Sequence, residues 1–227
     1  MAPTVIVSYD GTENDTDALA LGRVLGAAGA SLALAYVRHS REAEAGRERL
    51  AQDDAAELLE AGSRWLEQPD VPRHVVLSGS TPEGLRDLAE QEGADVIAFG
   101  SEYRTAPGHL APQGSAQRLL DGGPVAIALA PAGYRDRGDF TVATVAAVSD
   151  DPGDPSARET AESLASALGA ELLPKAGVDT GLVVVSSKPG TASGRVTLSA
   201  SAAYLVDLLL CPVLVLPHGV ALRFGGR

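Results

Sequence analysis

Two places in the sequence carry residue types whose spacing could bind a small ligand. Asp10 directly follows an apolar run at residues 4–8, and its carboxylate could accept hydrogen bonds from a sugar hydroxyl or a base amine. Gly100-Ser101 follows a second apolar run at residues 95–99, and Gly114-Ser115 opens a short helical segment. Backbone N–H groups at such a helix start point outward and attract anions.

A simpler interpretation exists for the first of these places. Asp10 or Thr12 could serve only as the cap of the helix that follows, because Asp and Thr are favoured N-cap residues. Asp10 taken alone favours this capping role. A ligand site therefore depends on whether the fold brings Asp10 together with the residues around Gly100 and Gly114.

The elements that would position these residues alternate between strand and helix. Short apolar runs bounded by polar residues indicate buried strands, and apolar residues at helical spacing indicate amphipathic helices. This alternation favours an α/β fold with an open parallel sheet, in which ligands bind at the carboxyl ends of the strands. Strands are predicted at residues 4–8, 31–37, 74–77, 95–99 and 125–130, and helices at 16–29, 42–67 and 81–92.

The order of elements begins again after a polar segment that is typical of a linker. Asp10 and Asp150 lie 140 positions apart, whereas Pro124 and Pro212 lie 88 positions apart, so a second copy would be 52 residues shorter. The predicted organisation is an α/β domain at 1–131, a linker at 132–139, a shortened degenerate copy at 140–217 and a tail at 218–227. Within that copy, strands are predicted at 142–148, 182–185 and 212–216 and a helix at 155–168.

Composition excludes several classes of function. A net charge of −12 argues against a nucleic-acid binder, which gathers Lys and Arg against phosphates. No apolar run approaches the roughly 20 residues that span a bilayer, so we expect no membrane partner and a cytoplasmic location. The single Cys211 lies in an apolar run and is expected to be a buried thiol. No phosphate-loop lysine motif or nucleophile elbow is present, and the four histidines are scattered, so no catalytic constellation is predicted.

Several runs of the sequence resemble landmarks of the universal stress protein family. They are VIVSYDGTE, GADVIAFGS, GSAQRLL and GPVAIALAP, and together they span almost all of residues 4–131. The resemblance implies two Rossmann-like, adenine nucleotide alpha hydrolase-like domains in tandem, the second truncated. It also implies that ATP, alone or with Mg²⁺, is the ligand of the first domain, with its phosphates held by the loop after residue 99.

The resemblance assigns roles to individual residues. Gly100, Gly114 and Ser115 take the places of the phosphate loop, with Ser101 beside them, Asp10 and Gly11 meet the adenosine part, and Val37 lines the adenine pocket. The sequence departs from the family pattern at Tyr103, where a second glycine is usual, and the interval from Gly100 to Gly114 is one residue longer. Arg104 or His109 could instead reach a phosphate through its side chain.

Three functions follow as hypotheses. The first is a stress-response regulator that binds ATP or a related adenine nucleotide in its first domain, with slow hydrolysis at most. The second is a nucleotide-free pseudo-domain that serves as a protein-interaction scaffold. The third, an enzyme related by fold such as a ligase, has no supporting residues.

The second copy is expected to have a structural role. Gly100-Ser101 corresponds there to Ser186-Ser187, and Gly114-Ser115 to Ser199-Ala200, so no nucleotide is expected. Its last strand would cover the edge of the first domain, as an intramolecular pseudo-dimer. A homodimer and an unidentified protein partner are left open.

Overall fold

The computed structural model describes residues 1–39 and 45–225, and for residues 45–51 it describes the backbone only. The first three residues of the helix predicted at 42–67, and the last two of the tail predicted at 218–227, lie outside the described residues. Strands and helices alternate along the rest of the chain, as expected for an α/β protein.

The N-terminal half, residues 1–131, contains five strands and four helices over its described residues, 1–39 and 45–131. In chain order they are β1 (Thr4–Ser8), α1 (Glu13–Ala27), β2 (Ser31–His39), α2 (Ala45–Leu66), β3 (Arg73–Ser78), α3 (Thr81–Glu92), β4 (Val96–Phe99), α4 (Gly114–Leu120) and β5 (Ala126–Leu129). A single 3-10 turn at Tyr134–Asp136 follows. The C-terminal half, residues 132–225, contains β6 (Thr144–Val148), α5 (Ser156–Leu168), β7 (Glu171–Leu173), β8 (Leu182–Val185), α6 (Ala200–Leu208) and β9 (Val213–Val215).

All nine strands form one sheet in the order β3-β2-β1-β4-β5-β9-β8-β6-β7. Every neighbouring pair is parallel except β5 and β9, which run antiparallel with Ala128 opposite Leu214. The last strand of the chain therefore covers the edge of β5, as the sequence predicts, and removes an open row of backbone groups there.

The helices cover both faces of the sheet, and each core continues from one half into the other. Apolar residues of α1, α2 and α5 pack on one face, where Leu19 and Leu164 belong to the same cluster. Those of α3, α4 and α6 pack on the opposite face, where Leu88 and Val206 share a second cluster. None of the helices in the described ranges is long and apolar enough to cross a membrane.

Two elements of the C-terminal half were not predicted from the sequence. Strand β7 has three residues, of which Glu171 and Leu172 are exposed, so it offers no apolar run to detect. Helix α6 lies in a stretch whose residues are nearly all apolar or small, which hides the helical period. Between β7 and β8, the loop at 174–181 stands where the N-terminal half has α2, β3 and α3.

Candidate functional site

A cavity of about 340 Å³ opens at the carboxyl ends of β1, β2 and β4 in the N-terminal half. The strand ends supply Asp10, Val37 and Phe99, while α4 supplies Ser115 at its start. This is the edge at which an open parallel sheet binds ligands. A larger groove of about 860 Å³ runs along α2 to the amino end of β3, away from this edge.

A pair of carboxylates lines the cavity. Asp10 is exposed at its rim, whereas Asp15, in the first turn of α1, is only 3% exposed. Asp15 Oδ2 accepts a hydrogen bond from the backbone N–H of Asp10 at 2.8 Å, and Oδ1 accepts one from Gln113 Nε2 at 3.1 Å. Burial, reinforced by the neighbouring Asp10 charge, raises the pKa of Asp15 to about 8. The raised pKa favours the neutral form of the Asp15 carboxyl group near pH 7.

The helix cap and Asp10 have separate roles. Thr12 is the N-cap of α1, and its Oγ1 accepts a hydrogen bond from the backbone N–H of Asp15. Asp10 Oδ1 accepts from the backbone N–H of Thr12 at 2.9 Å, which fixes the turn through Gly11. Gly11 has a φ of +84°, a left-handed conformation that suits glycine. Asp10 thus stabilises the turn between β1 and α1 while lying at the rim of the cavity.

Gly100 and Ser101 do not line the cavity. A Cβ at Gly100 would lie 1.8 Å from the backbone oxygen of Asn14, so the close approach of β4 to α1 requires glycine. Ser101 is 1% exposed, and its Oγ donates to the backbone oxygen of Ala130 at 2.7 Å. The same Oγ accepts from the backbone N–H of Ala111 at 3.3 Å. The side chain of Ser101 thus ties the following loop to the end of β5.

The backbone amides of the loop at residues 102–112 are largely engaged within the protein. They donate to carbonyl oxygens of the loop or of the segment after β5: Glu102 to Ala111 at 2.8 Å, Thr105 to Glu102 at 2.9 Å, Gly108 to Ala132 at 2.7 Å and His109 to Ala106 at 3.0 Å. Gly114 is exposed at the start of α4. A phosphate at this edge would meet the first turn of α4 and not a ring of free loop amides.

The departures from the family pattern are accommodated without backbone strain. Tyr103 does not adopt a positive φ, since Glu67 alone does so among the non-glycine residues that the structure describes. Its ring is 69% exposed, with the guanidinium of Arg104 5.0 Å from the ring centroid. Arg104 and His109 are exposed, and neither side chain lines the cavity.

The C-terminal half repeats the loop geometry with an offset of 86 residues. Ser187 Oγ donates to the backbone oxygen of Leu216 at 2.7 Å and accepts from Thr197 at 3.0 Å, as Ser101 does with Ala130 and Ala111. The predicted offset of 88 residues from the Pro124–Pro212 pair is therefore wrong, because Leu210 stands 86 residues after Pro124. By this geometry the C-terminal half is 54 residues shorter, not 52.

The first residues of α4 and α6 correct a second predicted correspondence between the halves. Gln113 is the N-cap of α4 and Ser199 is the N-cap of α6. Gly114-Ser115 therefore corresponds to Ala200-Ser201, and not to Ser199-Ala200. Ser199 and Ser201 both donate hydrogen bonds to Asp150 Oδ2, the second at 2.7 Å. Asp150, which occupies the position equivalent to Asp10, is thus bonded to the start of α6.

Asp15 and Gln113 are among the cavity-lining residues that sequence reasoning missed. Asp15 has the pattern of an ordinary acidic residue in the first turn of a helix. Gln113 precedes the glycine that drew attention to α4. The signal that could have found Gln113 is its place immediately before a predicted helix start, whereas nothing local distinguishes Asp15 from an exposed acid.

The sequence model described as the universal stress protein family matches residues 1–131. A search of curated protein sequences found no match. Among solved structures, a universal stress protein from Archaeoglobus fulgidus DSM 4304 is similar at 12% identity with a TM-score of 0.70, over 94% of this chain and 98% of that chain. A protein of unknown function from Pseudomonas aeruginosa PAO1 is similar at 16% identity with a TM-score of 0.64, over 96% of this chain and 93% of that chain.

A universal stress protein in complex with cAMP is also similar, at 19% identity. Its TM-score is 0.33, over 43% of this chain and 71% of that chain. At these identities the likeness to the larger structures shows the fold alone, and the cAMP complex transfers no ligand to this chain.

Proposed function

Because the chain belongs to the universal stress protein family, we propose that residues 1–131 bind ATP or a related adenine nucleotide and act in the stress response through binding. The observation that carries the proposal is the cavity at the strand ends, which brings together Asp10, Val37 and Ser115. The family resemblance associates these three positions with adenosine, adenine and phosphate, respectively. Gly11 contributes through the turn that presents Asp10.

The cavity fits the nucleoside part of such a ligand better than the triphosphate. Its volume of about 340 Å³ lies at the lower end of the roughly 300–1,000 Å³ that small-molecule sites occupy. Most amides of the 102–112 loop are engaged, and the Asp10 carboxylate disfavours a phosphate close to it. We therefore propose that base and sugar contacts supply most of the affinity, with the phosphates directed past Ser115 and Gly114.

Mg²⁺ belongs to the proposal only as a companion of ATP. Among the side chains that the structure describes, those of residues 1–39 and 52–225, no three acidic, His or Cys residues are arranged to hold a metal ion. The loop after β4 contains no lysine, and its one acidic residue is Glu102. Phosphoryl transfer relies on a cation and a metal-holding acid at the phosphates. Binding, with slow hydrolysis at most, is accordingly the proposed activity.

We further propose that residues 140–217 are a shortened and degenerate repeat of residues 1–131, joined by a linker at 132–139. The matched hydrogen bonds of Ser101 and Ser187 support this repeat, as does the shared left-handed conformation of Gly108 and Gly194. The pairing of β9 with β5 would then make the chain an intramolecular pseudo-dimer.

Isothermal titration with ATP and with AMP tests the nucleotide proposal. We expect micromolar binding of ATP that weakens by about tenfold or more in an Asp10→Ala, Ser115→Ala double variant. The matched control is Asp150→Ala, Ser201→Ala in the C-terminal half, which should bind as the wild type does. No heat from either ligand up to millimolar concentration, with the protein folded, would rule the proposal out.

A nucleotide-free scaffold is the second candidate function. It is favoured by the internal hydrogen bonding of the 102–112 loop, which presents Tyr103 to solvent instead of amides to a ligand. Failure of both nucleotides to bind would leave this function in first place.

A further inference from the structure

Three large apolar side chains are exposed together at the end of α6. Tyr204 is 66% exposed, Leu208 is 58% exposed, and Leu210, just after the helix, is 49% exposed. We call these three residues the α6 patch. Single exposed apolar residues are common on protein surfaces, but adjacent large ones mark interaction sites.

Helix α6 carries two apolar stripes, and only one of them is buried. Ala202, Val206 and Leu209 pack into the core beneath the helix. Tyr204 and Leu208 stand at i and i+4 beside that stripe, so they form a ridge along one side of the helix. The ridge has the spacing with which a helix contacts another helix.

The corresponding side of α4 faces α3 across a crevice. Arg118, 86 residues before Tyr204, lines a crevice together with residues of α3, and its neighbour Leu119 is only 4% exposed. Leu205, which corresponds to Leu119, is partly exposed. Across the described residues, the C-terminal half has no helix between β7 and β8. The α6 patch therefore faces the position from which a helix is missing.

The net charge of the chain favours a basic partner over a second copy of the chain. Asp207 is the one charged residue of α6, and Asp150 lies at the start of the helix, bonded to Ser201. Arg137, which donates to the backbone oxygen of Leu210 at 3.1 Å, lies at the opposite end. The chain carries a net charge of −12, so two copies repel each other, whereas a basic segment is attracted.

We propose that the α6 patch docks an amphipathic helix of a partner protein, with an apolar stripe against Tyr204 and Leu208 and with Lys or Arg along its flanks. Helix α3 supplies the template, because Leu85 and Leu88 form its buried stripe in the N-terminal half. The docked helix would occupy, beside α6, the place that α3 occupies beside α4. This inference is independent of the nucleotide site.

Two synthetic helical peptides test the proposal by fluorescence polarisation. Both carry the apolar spacing of α3, one with lysines and the other with glutamates on the flanks. We expect the lysine peptide to bind the full chain at least about tenfold more tightly than the glutamate peptide. A Tyr204→Ser, Leu208→Ser double variant should lose at least about tenfold in affinity for the lysine peptide.

The matched control is Leu77→Ser on strand β3, which removes an apolar side chain that is 57% exposed but stands away from α6. It should leave binding unchanged. If the double variant fails to fold by thermal unfolding, Leu210→Ser repeats the test with a residue outside the helix. Equal affinity for all variants would overturn the proposal. So would a wild-type dimer in sedimentation that the double variant dissociates, since a second copy would then be the occupant.

Discussion

The carboxylate that follows the first strand has different surroundings in the two halves. At the first edge, Asp10 stands at the rim of the cavity with Ser115 opposite. At the second, Ser199 and Ser201 both donate to Asp150, and Ser186 donates to Ser149 at 2.8 Å. Short hydroxyl side chains are enough to bond the carboxylate within the protein, so a few substitutions at the strand ends change its partners and leave the sheet unchanged.

The loops that follow β4 and β8 keep the same path despite this difference. Ser101 and Ser187 make matching bonds, and Gly108 and Gly194 both adopt a positive φ, +85° and +73°. One loop belongs to the edge where Asp10 lines a cavity, and the other to the edge where Asp150 is bonded to two serines. The path of the loop is therefore set by its attachment to the strand ends and does not depend on what the edge can bind.

Exchanging the residue types found just after β4 and just after β8 should produce the largest difference in unfolding free energy between the halves. In Gly100→Ser the new Cβ would collide with the backbone oxygen of Asn14, and we expect a loss of about 3 kcal/mol or more in the free energy of unfolding. Ser186→Gly removes the bond to Ser149 and should cost about 1 kcal/mol. Urea unfolding of the two variants checks both values.

The expected difference in stability between Gly100→Ser and Ser186→Gly has a structural reason, which the same urea unfolding tests. The position 140 residues after Asn14 is Asp154, which precedes α5, so no helical carbonyl oxygen stands over Ser186. Similar losses for the two variants would show that the close approach at Gly100 is relaxed at little cost, and would remove this distinction between the halves.

Removal of the buried carboxyl at Asp15 should change how stability depends on pH. Since burial raises its pKa to about 8 in the folded chain, the folded state holds a proton that the unfolded state loses near pH 4. The contribution of Asp15 is therefore full below about pH 4 and is lost as the pH rises to about 8. We expect Asp15→Asn to be more stable than the wild type at about pH 8, by roughly 2–4 kcal/mol, with the difference shrinking toward pH 4.

The C-terminal half supplies a control of opposite sign. Hydrogen bonds from Ser199 and Ser201 lower the pKa of Asp150, so its small contribution is present at neutral pH and is lost as the pH falls. Asp150→Asn should therefore reduce stability slightly at pH 7 and not at low pH, as measured by urea unfolding across the pH range. A wild-type chain and an Asp15→Asn variant with parallel pH profiles would contradict the assignment of a neutral Asp15.

The smallest expected difference in stability loss between the halves is the one between alanine variants of the two buried serines. Ser101→Ala and Ser187→Ala each remove a hydroxyl that ties a loop to the end of a strand, and each should cost about 1–3 kcal/mol. Because both cores continue across the halves, we expect one unfolding transition that both variants shift by similar amounts. A separate calorimetric transition at lower temperature in Ser187→Ala would contradict the expectation of a single unfolding transition.

Local patterns in the sequence were sufficient for most of the sheet. The apolar runs of β1, β4, β5 and β8 are buried strands, because a parallel sheet covered on both faces needs continuous apolar segments. The same rule fails for β7, which is short and half exposed at the edge. Matching by residue type also misplaced the correspondence between the last strands of the two halves. Pro212 is a proline like Pro124, but the hydrogen-bond geometry places Leu210 at the position equivalent to Pro124.

From local pattern, the site was predictable where a residue follows a strand end, whereas Ser115 was identified through its place at a helix start and the family resemblance. Asp10 and Val37 reach the cavity because each stands at or just beyond the carboxyl end of a strand. Gly100 was predicted as part of a phosphate loop, and the structure shows that it also allows contact with Asn14, 86 positions away in the chain. Contacts of this kind depend on how α1 lies on β4, which no local pattern encodes. The nucleotide roles of all the predicted site residues stay predictions.

The antiparallel pairing of β5 with β9 has a consequence for the protein at low abundance. Two separate chains that met through such strands would dissociate on dilution, whereas here both strands belong to one chain and meet at a fixed effective concentration. The edge of β5 is therefore covered whether a cell holds few copies or many.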